Sequence, residues 1–143
     1  MKSGLVVLML AVVVLSAACL QSDPTGRVVD VKVPSCKLWG GTVEIKTERG
    51  ATIFGSWLGE SDGRRLSGFM DVGGGKWVLN ASFNEGASNG FFYWTDDASR
   101  TYISGTVAGR VESDVFSGVV DGSVTAQGEA YPFSGVMNGS CRV

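Results

Sequence analysis

The chain has 143 residues, three cysteines, no histidine and a formal net charge of −2 at pH 7. That length fits one domain. The lack of histidine removes the commonest general base and metal ligand near neutral pH. Neither charge sign forms a block, which argues against a nucleic-acid face or a polybasic membrane patch.

The first element is a leader. Lys2 precedes an unbroken apolar run from Leu5 to Leu15, and Ser16-Ala17-Ala18-Cys19 follows. A charged start, a short apolar core and a small-residue exit predict a secretory signal over residues 1–18. The run is shorter than the roughly 20 apolar residues a membrane-spanning helix needs. Leu15-Ser16-Ala17-Ala18-Cys19 resembles a prokaryotic lipobox, although Ser16 stands where the commonest form carries Leu. The resemblance implies an exported lipoprotein of the cell envelope, with lipid on Cys19 as the first mature residue. An ordinary secretory peptide cut after Ala18 is the alternative.

Residues 19–27 are polar after the cysteine, with Pro24 and Gly26, and read as a tether. One β-domain is expected over residues 28–143. Val29, Val31 and Val33 alternate with Asp30 and Lys32, and Val43 and Ile45 with Glu44 and Lys46. Trp77, Leu79, Ala81 and Phe83 alternate with Val78, Asn80 and Ser82. A period of two marks strands with one buried face.

A repeat then emerges. Ile103-Ser-Gly105-Thr-Val107-Ala-Gly109-Arg-Val111 has the plan apolar, Gly, apolar, Gly, apolar at every second residue. Copies start at Phe116 and Phe133, with weaker ones at Ile53 and Leu66. The intervening residues are mostly polar, as a wet face requires. The repeat predicts that Gly105, Gly118 and Gly135 lie on the inner face. Asp62-Gly63 and Asn89-Gly90 are hairpin signals, because both residues tolerate positive φ. Asp121-Gly122 and Asn138-Gly139 carry the same signal, yet the repeat register puts them inside strands. Other turn candidates are Glu48–Gly50, Gly73–Gly75, Asn84–Gly90, Asp96-Asp97 and Ala126–Glu129.

Short strands with short turns predict an all-β antiparallel meander, closing as a small up-and-down β-barrel or stacking as a sandwich. The alternative is a parallel β-solenoid, because Phe116–Ala126 resembles the coils of bactofilin-like β-helices. In a closed barrel the first and last strands are neighbours. Cys36 and Cys141, the two cysteines left once Cys19 is lipidated, are then expected to pair in an oxidising compartment.

The densest aromatic cluster is Phe91-Phe92-Tyr93-Trp94, followed by Thr95-Asp96-Asp97. On a strand, Phe91 and Tyr93 face one way, and Phe92 and Trp94 the other. Trp57, Trp77, Phe92, Trp94, Asp96 and Asp97 are the candidate contacts for a ligand or partner. Exposed aromatics beside carboxylates suit a sugar, a peptide or a cation. Trp57, Trp77 and Phe83 on the apolar faces would line a ligand cavity or plug the barrel instead, with glycine making room for each ring. Acid pairs such as Glu112/Asp114 read as solvated turn formers, and no EF-hand-like spacing appears. No nucleophile–base pair or metal set can be assembled, so no enzyme, cofactor or metal is expected. Two glycosylation sequons, Asn80-Ala81-Ser82 and Asn138-Gly139-Ser140, are also present. The expected role is a membrane-anchored structural or binding module. The alternatives are a carrier of a small apolar ligand, or an inhibitor of secreted proteases that uses a protruding segment around Val28–Leu38.

Overall fold

The computed structural model describes residues 35–142. The leader, Cys19, the tether and the Val28–Val33 strand lie outside the described residues. Eight strands follow in chain order: β1 (Leu38–Thr47), β2 (Thr52–Ser61), β3 (Arg65–Val72), β4 (Gly75–Asn84), β5 (Ala87–Asp96), β6 (Thr101–Glu112), β7 (Val115–Ala126) and β8 (Glu129–Cys141). Each pairs antiparallel with the next, and β1 pairs with β8 from Trp39↔Cys141 to Thr47↔Phe133. The result is a closed up-and-down barrel with no free edge, so neither the sandwich nor the solenoid is formed.

Four of the turns have two residues, both at positive φ: Gly73-Gly74, Glu85-Gly86, Ser113-Asp114 and Gln127-Gly128. Positive φ at both central positions matches the twist of the flanking strands. The Glu85-Gly86 turn corrects the Asn89-Gly90 hairpin. Asn89 and Gly90 lie in β5, opposite Ser82 and Ala81. Gly90 is there because the inner face demands it: a Cβ would meet Ala81 Cβ at 2.7 Å. Asp62-Gly63 does form its turn, with Gly63 at φ 91°. Asp121-Gly122 and Asn138-Gly139 lie within β7 and β8, as the repeat register requires.

The repeat builds the barrel wall. Its glycines meet across strands as Gly41↔Gly139, Gly59↔Gly68, Gly105↔Gly122 and Gly109↔Gly118. Paired glycines let the two backbones bend sharply, which a small barrel needs. A large side chain then lies on the bare backbone. Phe92 covers Gly105 and Gly122, Phe116 covers Gly109 and Gly118, Trp57 covers Gly139, and Leu66 covers Gly59. The first two apolar members of each repeat, Ile103 and Val107, Phe116 and Val120, Phe133 and Met137, are buried, and the third members Val111, Val124 and Cys141 are partly buried against them. Outward positions instead carry groups such as Glu44, Lys46, Asp71, Lys76 and Asp121. The apolar interior differs from the polar lumen of a transmembrane barrel, while the outer wall mixes these charged groups with exposed apolar ones such as Phe54, Phe69 and Val119.

The closing seam is cross-linked. Cys36 and Cys141 form a disulfide with a Cα–Cα distance of 5.7 Å. The bond stands beside the first register pair of β1 and β8, so strand pairing delivers the two cysteines to bonding distance.

Candidate functional site

The interior holds two aromatic clusters. Toward the end with the β3–β4 and β7–β8 turns, Trp77 packs on Phe92 and Phe133, with ring centroids 5.7 and 5.9 Å apart. Toward the end with the disulfide, Trp57 meets Phe116 edge-on at 5.6 Å, and Trp39 meets Phe83 at 6.1 Å. Each indole N–H near this end has a partner: Trp57 Nε1 donates to the Asn138 carbonyl at 3.0 Å, and Trp39 Nε1 to the Cys36 carbonyl at 3.1 Å. Among the described residues no buried side-chain polar atom lacks a hydrogen bond. The void among Trp39, Trp57, Phe83 and Phe116 is about 10 Å³. That is about one water probe, against some 300 Å³ or more for a ligand pocket.

The predicted contacts therefore separate. Trp57, Trp77 and Phe92 are at most 6% exposed and serve as the plug, so no partner can reach them without opening the barrel. The physical reason is the glycines beside them, whose missing side chains leave space on the inner face for Phe92 over Gly105 and Gly122 and for Trp57 over Gly139. Trp94 shares their inward direction and is partly buried against the core. Asp96 and Asp97 stand at the β5–β6 connection. Asp96 Oδ1 accepts from the backbone N–H of Ala98 at 3.1 Å, and its Oδ2 from the Ser99 hydroxyl at 2.6 Å. The Ser99 hydrogen bond, foremost, holds the Asp96 carboxyl below its ordinary range. Asp62 is likewise held down, by the backbone N–H groups of Arg65 and Arg64, each 2.8 Å away. Both carboxylates work as turn formers. At the same end as Asp96, the Tyr131 hydroxyl donates to Glu129 at 2.6 Å, which raises its pKa. Among the described residues no three His, Cys, Asp or Glu side chains converge as a metal site would need.

The accessible chemistry is on the outer wall. Phe91 and Tyr93, the other half of the aromatic cluster, are 53% and 45% exposed and stack on each other at 6.4 Å. Register sets Leu58 beside Phe69, Phe69 beside Val78, and Val78 beside Tyr93, an apolar row across β2 to β5. Lys76 lies over the Phe69 ring at 5.2 Å. An open groove of about 450 Å³ runs along this row, between Leu38, Leu58, Phe69 and Val78, with Glu60, Ser67 and Asn80 at its side. Alternation alone assigned Phe91 and Tyr93 to one face. The cross-strand register that completes the row is not readable without the closed sheet.

No protein-family model, curated protein or solved structure matches this chain.

Proposed function

We propose that the protein is an exported lipoprotein, anchored to a membrane through Cys19, whose barrel is a non-enzymatic structural or binding module acting through its outer wall. The packed interior carries the second half of this reading. A core plugged by Trp57, Trp77, Phe92, Phe116 and Phe133 leaves no volume for cargo, whereas the outer wall presents a groove and stacked aromatics. A carrier of apolar ligands would have to displace two aromatic clusters first. The Cys36–Cys141 bond favours an oxidising compartment and so supports export. The lipobox-like leader supports the anchor. Stable anchoring needs two acyl chains or one chain with a second attachment.

The test is fractionation with intact-mass analysis of the full-length gene product. The mature chain should begin at Cys19, carry acyl mass and sediment with membranes. Cys19→Ser should move it to the soluble fraction. An unmodified mature chain would reject the anchor.

A further inference from the structure

We infer that the apolar row on the outer wall is a homodimer interface, and that its partner is a second copy of this chain. This names the partner of the outer wall and so rests on that part of the proposed function; it does not depend on the lipid.

The area is the first argument. Leu58, Phe69, Phe91, Tyr93 and Tyr102 are each 45–53% exposed. At half exposure each leaves roughly 100 Å², or about 500 Å² in all. A standard interface buries about 800 Å² per partner, of which some 56–65% is apolar, or roughly 450–520 Å². The patch therefore supplies the apolar core of one such interface, and it lies near the upper end for a patch left bare on a monomer.

Charge and register supply the second argument. Asp71 and Lys76 are register partners on β3 and β4, one row from Phe69 and Val78. They form no ion pair with each other, and the Lys76 ammonium is drawn over the Phe69 ring instead. Consider a twofold axis in the interface, along the strand direction and midway between β3 and β4. It mirrors columns and keeps rows. Leu58 then faces Tyr93 of the second copy, and Phe69 faces its Val78. Asp71 faces Lys76 of the second copy, twice by symmetry, and Ser67 faces its Asn80. Along the central row apolar meets apolar, and one row away opposite charges meet, as an isologous interface requires; on the other side of the row Phe91 faces Glu60 of the second copy, at the rim of the contact. The groove beside Leu58 and Phe69 gives the projecting Tyr93 ring of the second copy a place to seat.

The test is sedimentation equilibrium of the full chain in density-matched detergent, from nanomolar to high micromolar concentration. The wild type should show twice the protomer mass at the upper end. Asp71→Lys sets like charges opposite each other and should weaken the dimer at least tenfold, as should Tyr93→Ser. Lys76→Asp added to Asp71→Lys should restore it. Val119→Lys with Val136→Lys, on a different part of the outer wall, should leave it unchanged, and so should Cys19→Ser. Melting curves and non-reducing peptide mapping confirm that each variant is folded. A monomer at every concentration overturns the inference, as does a dimer indifferent to Asp71→Lys and Tyr93→Ser, or one lost with Cys19→Ser. A monomeric Cys19→Ser protein, which has no acyl anchor, that cosediments with peptidoglycan or with phospholipid vesicles also overturns it, and gives the row to a polysaccharide or a bilayer. The acyl-mass measurement on Cys19 is independent of all these outcomes.

Discussion

Replacing Gly118 by alanine adds one carbon where the barrel wall has no room for it. That Cβ would stand 2.8 Å from the Ala108 carbonyl oxygen, 2.8 Å from Phe116 Cζ and 3.1 Å from Gly109 Cα. Two of these neighbours are backbone atoms of β6, and the third is a ring tip in the core. The ring can tilt, but the backbone moves only if β6 shifts off β7. Overpacking of this kind costs about 1–3 kcal/mol. At about 4–8 °C per kcal/mol for a domain near this size, the melting midpoint should fall by roughly 10 °C. The assay is thermal unfolding by near-ultraviolet circular dichroism, with the disulfide intact. Phe116→Leu removes one of the three contacts. In a double-mutant cycle the pair should therefore cost less than the sum of the single variants, by about 0.5 kcal/mol or more. Gly105 and Gly135 should behave like Gly118, since a Cβ at either also meets backbone of the neighbouring strand. Gly128 is the contrasting site: open space surrounds it, so only its φ of +85° resists alanine, at about 1–2 kcal/mol. If Gly118→Ala melts within about 2 °C of wild type, the paired-glycine account of the wall is wrong.

Removing the seam disulfide with Cys36→Ala and Cys141→Ala opens a loop closed across 105 residues of sequence. Chain entropy puts the loss near 4.7 kcal/mol as an upper value, and urea unfolding should show a lower midpoint with the barrel still formed; a loss under about 1 kcal/mol would mean that the cross-link restrains the unfolded chain far less than loop closure requires. For pH, the folded-state pKa values of Asp62 and Asp96 lie below the ordinary 3.8. Their contribution is thus fully present above that value and is lost as pH falls through the lower folded values. Acid unfolding of Asp62→Asn with Asp96→Asn should show a shallower loss in that window than wild type, and an identical slope would remove both carboxylates from the account.

Much of this barrel was legible from residue order, because two local rules act on every strand. Side chains alternate across a strand, so Ile103, Val107 and Val111 had to share a face, and Phe92 had to oppose Phe91. Positive φ is tolerated by few residues, so Gly73-Gly74 and Gln127-Gly128 marked turns without any tertiary knowledge. The apolar–glycine repeat carried both rules at once, and it overruled the turn signals at Asp121-Gly122 and Asn138-Gly139. It did not extend to Asn89-Gly90, where a strong local turn signal stood without the repeat to overrule it. There only the pairing of Ala81 with Gly90 decides, since moving the turn by a few residues would lose that inner-face match.

What depended on the tertiary structure is everything that happens between strands distant in sequence. Whether Trp57 and Trp77 line a cavity or fill the barrel depends on how many strands close and on which neighbouring strands present glycine beside each ring. Eight strands close, glycines paired between neighbouring strands leave room inside for the rings to meet, and the void beside Trp57 is about 10 Å³. The outer row of Leu58, Phe69, Val78 and Tyr93 has the same origin. Its four residues share no sequence motif and become neighbours only through the registers of β2 to β5. Periodicity is a property of one strand and can be read from it. Register is a property of pairs, and its energy is shared among contacts that no single segment contains.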